Sequence, residues 1–349
     1  MAGNAFISVR GRVVLNVEAL NMTESVGNYV RHRRVPVVMR RGTEYVTIHV
    51  PAVSGEAIAH GYQELLAKEA INAGLKVCKL CSKGIFLKSA KLDIVAHAHG
   101  DDLAKIAKGE TKDKSKKPDQ QELAHEFEKA VIKGCVVEDV GGFLYAERGR
   151  AQLKQVKRTS NFYVGYMIPV AEGLEAAVTE AQLHSRYALG TKFVEKGEEG
   201  RGEGQMIYYV EIASAPYTFS FDLDTRYVGK TTFVTAHAGE LAVSEEERTK
   251  RIEAALKALK KLILELGFGA KKTRFLPTME WESLVIAVSN DVWTVPSPFS
   301  RNYIEAARKK LSAVSEGTKL HIYEAGKGKT LEEVLEEAIK DALDRLGKQ

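Results

Sequence analysis

From Ile7 to Glu18 the odd positions are Ile7, Val9, Gly11, Val13, Leu15 and Val17, while the even ones include Ser8, Arg10, Arg12, Asn16 and Glu18. Side chains that alternate with a period of two point to opposite faces of extended backbone. The segment therefore predicts a strand with one apolar face and one polar, cationic face. Arg10, Arg12 and Asn16 should project from the same side of a sheet.

Helical signals follow at two places. Ser54 reads as an N-cap with Glu56 in the first turn, Ile58, Tyr62, Leu65 and Leu66 mark the buried face, His60 lies on the same helix as a structural residue, and Gly74 closes the end. Ser244 and Glu247 form a capping box, and Ile252, Leu256, Leu259, Ile263 and Leu266 repeat at helical spacing up to Gly267. Between these helices, 122–133 reads as a helix, 179–187 as an extended arm, and Ile207 to Asp222 as β structure that Pro216 should break or bulge. A short strand at Leu284–Ser289 and helices at 301–313 and 331–346 complete the pattern. The order strand, helix, insertion, strands, helix, strand matches β-α-β-β-α-β. The fold class expected is α+β, an antiparallel sheet with two helices carrying a large insertion.

The first fifty residues hold seven arginines (Arg10, Arg12, Arg31, Arg33, Arg34, Arg40, Arg41) against three glutamates, 7 − 3 = +4 of the chain's formal +5. A guanidinium fork matches phosphate oxygens, so this placement points to a polyanion. No run of about 18 apolar residues exists, so no membrane partner is expected; the start lacks a secretory pattern, and a cytoplasmic protein is the expectation. The segments Gly109 to Gln121 and Gly190 to Gln205 are polar, the second glycine-rich, and read as mobile.

No P-loop, nucleophile elbow or HExxH motif is present. Cys78 and Cys81 form a CxxC, with Cys135 as a third thiol; a structural zinc would use these with His97, His99 or His125, and a redox pair or disulfide is the competing reading. His97 and His99 alternate on an expected strand and read as a surface pair. His184 stands beside Arg186 and Tyr187, a combination suited to backbone phosphate and an unstacked base. His184 as a general acid or base would make the chain an RNA endonuclease, yet no partner group stands at a suitable spacing. Asn21, with Ser25, Gly27 and Asn28 behind it, forms a polar turn that admits close backbone approach.

The segments SVRGRVVLNVEALNMTESVGNYVRHRR, PAVSGEAIAHGYQ, CVVEDVGGFL and QLHSRYALG together resemble the archaeal type I-A CRISPR Cascade backbone subunits, the Csa-type DevR-like group of the RAMP superfamily. They span roughly the first 190 residues. The resemblance implies a modified RRM-like palm at 1–74, 163–178 and 207–349, an inserted fingers region at 75–162 and a thumb at 179–206. It implies a non-enzymatic subunit that needs no cofactor and polymerises head to tail along CRISPR RNA. Its partners would be that RNA, target DNA through the guide, further copies of itself and other type I-A Cascade subunits. By motif, Asn21 and His184 are the first choices for RNA contact. Arg10, Arg12, Arg31, His32, Arg33 and Ser54 come second, with Asn16 and Arg186 beside them. Such a subunit must hold many guides, so it should read phosphate and sugar and leave base edges free.

Overall fold

The computed structural model describes residues 3–88, 90–110, 119–149, 151–187, 205–269, 271–315 and 317–347, and the side chains of 186, 187, 205 and 206 also lie outside the described residues. The expected polar segment is thus described only at its edges, and the glycine-rich segment at its last residue.

The alternating segment is β1 (Phe6–Glu18), the centre of the main sheet. Two ribbons follow: β2 (Met22–Val26) with β3 (Tyr29–His32), and β4 (Arg34–Arg41) with β5 (Glu44–Pro51). The turn joining β2 to β3 requires Gly27, at φ +61°. Next comes α1 (Gly55–Asn72), capped by Ser54, whose Oγ accepts from Ala57 N at 3.3 Å. The middle region then supplies α2 (Leu92–His99), α3 (Asp101–Lys108), α4 (Gln120–Gly134), α5 (Val136–Gly141) and the pair β6 (Phe143–Ala146) with β7 (Gln155–Arg158).

β8 (Phe162–Val164) returns the chain to the main sheet. β9 (Val178–Tyr187) and β10 (Gln205–Asp224) form a long antiparallel arm. After α6 (Glu245–Glu265) come β11 (Thr278–Ser289), α7 (Tyr303–Ala313), β12 (Lys319–Glu324) and α8 (Leu331–Gly347). The sheet runs β12-β11-β1-β10-β3-β2, with β8 and β9 also pairing with β10. Only β10 with β3 is parallel among the described pairs of this sheet.

The odd face of β1 packs under α1 and α6. Tyr62 of α1 is fully buried, its ring meets Phe162 and Phe221 edge-on at 4.7 and 4.8 Å, and its hydroxyl donates to Ala255 O of α6 at 3.1 Å. Each such side chain taken from water contributes roughly 1.5–3 kcal/mol. The middle helices join the same core through Phe127, Val136 and Val140.

Several expectations need correction. His97 and His99 end a helix, α2, since Leu92, Val95 and Ala98 bury one helical face. Pro216 neither breaks nor bulges β10: its carbonyl accepts from Val170 N at 2.9 Å. In a strand the N–H points the same way as the carbonyl, so the missing donor faces that irregular segment and the β1 ladder loses nothing. Leu266, at φ +39°, is the left-handed cap of α6, one residue ahead of Gly267. β1 alternates as expected until a bulge between Leu15 and Glu18 turns Val17 outward at φ +59°.

Candidate nucleic-acid interface

The polar face of β1 is covered. Ser8 Oγ accepts from Val295 N at 3.0 Å, and the segment beyond β11 reaches Arg12 through Pro298 O. Arg10 holds Asp222 in a bidentate pair at 2.7 and 2.9 Å. Arg12, buried, donates Nε to Pro298 O at 2.8 Å, Nη2 to Phe299 O at 3.2 Å, and pairs with Glu172. Burial opposes charge on Glu172, but Arg12 outweighs it and holds the carboxyl below its ordinary range. Both arginines are therefore internal struts; the alternation places them on one face, and that face is not a solvent-facing phosphate track. Asn16, farther along, is exposed.

Asn21 is buried as well. Its Oδ1 accepts from Arg33 Nε at 2.9 Å and from Ser54 N at 2.7 Å, and its backbone oxygen accepts from Arg33 N at 3.0 Å. Ser54 is buried beneath α1, occupied as its cap. His32 is buried too: Nδ1 meets Arg33 O at 2.9 Å, and Nε2 lies 2.6 Å from Glu18 Oε1, out of line for a hydrogen bond. Glu18 also accepts from Tyr217 Oη and Leu20 N, each at 2.8 Å. The expected contacts at Asn21, His32 and Ser54 are thus taken up inside the chain, where they set the bend from β1 into the ribbons.

The same bend aims the remaining cations outward. An open groove of about 980 Å³ is lined by Thr23, Tyr29, Arg31, Arg33, Arg34 and Glu211, among others. Arg31 is 56% exposed, with Glu24 at 3.7 Å. Arg34 is exposed and donates to Thr179 Oγ1, tying β4 to β9. Glu211 orders the groove wall, accepting from Tyr29 Oη at 3.0 Å and His32 N at 2.8 Å. Partial burial and this carboxylate push the Tyr29 phenol up. Tyr29 stacks on Tyr209 at 5.8 Å.

His184 lies on the arm opposite Tyr208, stacked on it at 5.4 Å and edge-on to Phe275 at 5.3 Å; among the described residues its buried Nε2 has no hydrogen-bond partner. Arg186 is on β9 opposite Met206, but its side chain lies outside the described residues. The opposite face of the arm carries Leu183, 59% exposed, and Ile207, 49% exposed, which share that face through the pairs Leu183 with Tyr209 and Ser185 with Ile207. Sequence reasoning overlooked these two; the apolar residues alternating around His184 and Tyr208 were the available signal.

Away from this groove, Cys78, Cys81 and Cys135 converge in the core with Glu138, to which His99 bonds at 2.6 Å. His97 is exposed and outside this group, and His125 stacks instead on His237 at 4.2 Å.

A family model described as "CRISPR-associated negative auto-regulator DevR/Csa2" matches residues 9–308. A Saccharolobus solfataricus protein described as "CRISPR-associated aCascade subunit Cas7/Csa2 2" is 39% identical over 294 residues, 84% of this chain and 82% of the relative. A Thermoproteus tenax protein described as "CRISPR-associated protein Cas7/Cst2/DevR" is 28% identical over 359 residues, 97% of this chain and 96% of the relative. Among solved structures, a chain of a "CRISPR RNA-guided surveillance complex, pre-nicking" shares the fold at a TM-score of 0.53 and 9% identity, covering 97% of this chain and all of that one.

Proposed function

This chain belongs to the DevR/Csa2 family of CRISPR-associated proteins, and from that premise we propose that it is a non-catalytic backbone subunit of a type I-A Cascade complex. It polymerises along CRISPR RNA by phosphate and sugar contacts and presents the guide for pairing with target DNA. The observation that carries this reading is the open groove with Arg31, Arg33 and Arg34 at the root of the β9–β10 arm. Cations on an open wall hold a backbone whatever its sequence, because they meet phosphates and no enclosed pocket sorts bases.

The palm reading draws support from the antiparallel run β11-β1-β10-β8 with α1 and α6 on one face, which is the strand order of a β-α-β-β-α-β unit. The arm, with exposed Leu183 and Ile207, suits a thumb that enters between bases, and 75–162 suits the fingers. A subunit repeating along one strand meets its neighbours head to tail, and an interface of that kind leaves the filament open. No helix among the described residues is long and apolar enough to cross a membrane. His184, held between Tyr208 and Phe275, is placed to position the arm, and RNA cleavage through it draws no support from this packing.

The test is to copurify the chain from its host and sequence the bound RNA. Many unrelated CRISPR spacers joined to one repeat are expected. A single RNA species, or none, would overturn the reading.

A further inference from the structure

The three cysteines belong to two separate parts of the chain, the turn after α1 and the junction of α4 with α5, yet all three are buried together. Their Sγ atoms and a carboxylate oxygen of Glu138 lie within 4.8 Å of one another. Cys78 Sγ stands 3.5 Å and Cys81 Sγ 3.7 Å from Glu138 Oε1. A tetrahedral Zn²⁺ with bonds of ~2.3 Å to sulfur and ~2.0 Å to oxygen has an S···O edge of about 3.5 Å. The observed spacings are those of ligands around one ion.

The surroundings fit the same chemistry. Cys81 N–H donates to Cys78 Sγ at 3.4 Å, a bond that favours a thiolate. His99 Nε2 lies 2.6 Å from Glu138 Oε2, which fixes the carboxylate and leaves Oε1 facing the thiols. Three thiolates and a carboxylate around a dication leave two negative charges. His99 lies against this cluster, and the ammonium of Lys88, whose Nζ donates to Gly141 O at 2.7 Å, stands near Cys81 and Glu138 and offsets part of that charge.

We propose that Cys78, Cys81, Cys135 and Glu138 form a closed structural zinc site, with His99 orienting the carboxylate. Four protein ligands leave no position for a substrate, so the ion is a staple. It fastens the turn after α1 to the α4–α5 junction. None of its ligands lines the arginine groove, so the proposal stands apart from the RNA reading.

The test uses the full chain purified with a phosphine reductant and no chelator. Elemental analysis should find one zinc per chain. The thiols should resist modification in the folded protein, and all three should react after denaturation with EDTA. Replacement by Co²⁺ should give thiolate-to-cobalt charge-transfer bands and tetrahedral d–d bands. H99A should bind zinc about 10- to 100-fold more weakly, E138Q more weakly still because a ligand is changed, and both should keep the charge-transfer bands. A chain that stays zinc-free after refolding with excess Zn²⁺, that carries iron, or that contains a cysteine–cysteine disulfide in the non-reduced mass spectrum would overturn the proposal. Because the wild-type chain decides the matter, a C81S variant that fails to fold does not weaken the test.

Discussion

Asn21 Oδ1 accepts from Arg33 Nε at 2.9 Å, so the asparagine in the bend between β1 and β2 sets the direction of a guanidinium in the groove. The same oxygen takes Ser54 N at 2.7 Å, which links the groove to the start of α1. Asn21→Ala leaves two donors unsatisfied, at a cost of about 1–3 kcal/mol for each one left buried. Urea unfolding should show a lower midpoint at an unchanged slope. RNA affinity of the folded variant should fall with it, because Arg33 loses its support. A variant of wild-type stability would disprove the linchpin.

Arg31 is the opposite case, an exposed guanidinium 3.7 Å from an exposed Glu24. Arg31→Ala should leave stability within about 0.5 kcal/mol. It should weaken single-stranded RNA binding alike for unrelated sequences and lower the salt slope by about 0.7 for each phosphate no longer neutralised. Titrations at several salt concentrations on two unrelated RNAs measure both effects. A loss confined to one RNA would argue for base readout.

Arg12 and Glu172 give a pH signature. The Glu172 carboxyl is held below its ordinary range in the folded chain, so the unfolded chain binds its proton more tightly. Stability from the pair is then fully present above the unfolded pKa of about 4.3 and is lost as pH falls through the lower folded value. Melting curves should place wild type above Glu172→Gln at neutral pH, with the gap closing in acid. A gap that persisted in strong acid would exclude the ion pair as its source.

Short-range patterns in the sequence carried much of this fold. The alternation through β1, the Ser54 cap and the Ser244 box with Glu247 N at 3.2 Å are all contacts within a few residues, and each appears where the pattern put it. What escaped was long-range. Arg10 meets Asp222 across 212 residues, and no local pattern distinguishes such a strut from a solvent-facing arginine. The ribbons from Met22 to Pro51 escaped because most of their side chains are exposed, so burial imprints only a weak alternation. In α2, the alternation of His97 with His99 was too short to tell a strand from a helix. The CxxC was legible as a motif, but Glu138 joins it only through the packing of α5.

Asp139 lies at the centre of another buried cluster. It holds Arg158 Nη2 at 2.5 Å and Arg251 Nη1 at 2.8 Å and accepts from Gly229 N, joining α5, β7 and α6. Asp139→Asn removes the carboxylate that two buried guanidinium groups share and leaves each with one acidic partner, Glu128 on Arg158 and Glu247 on Arg251. Breaking a buried pair in this way costs about 3–5 kcal/mol. Thermal melts should show a large drop, with no specific change in RNA affinity for the fraction that folds at low temperature. A near-neutral result would mean that Glu128 and Glu247, the other carboxylates on these arginines, suffice alone.

Leu183 and Ile207 decide between two uses of the arm. An arm that only braces the sheet has no need of exposed apolar side chains, because exposure contributes nothing to folding. An arm that enters a nucleic-acid strand needs them, since an apolar wedge holds two bases apart at a cost of a few kcal/mol for the unstacking. Leu183→Ser with Ile207→Ser removes the wedge and leaves Arg31 and Arg34 in place. The double variant should melt within a few degrees of wild type and keep the salt slope of its RNA binding, because the phosphate contacts are intact. It should lose the regular distortion of the bound strand, read as the loss of the enhanced fluorescence of 2-aminopurine placed at successive positions. Unchanged fluorescence at every position, with affinity intact, would show that the arm does not part the bases.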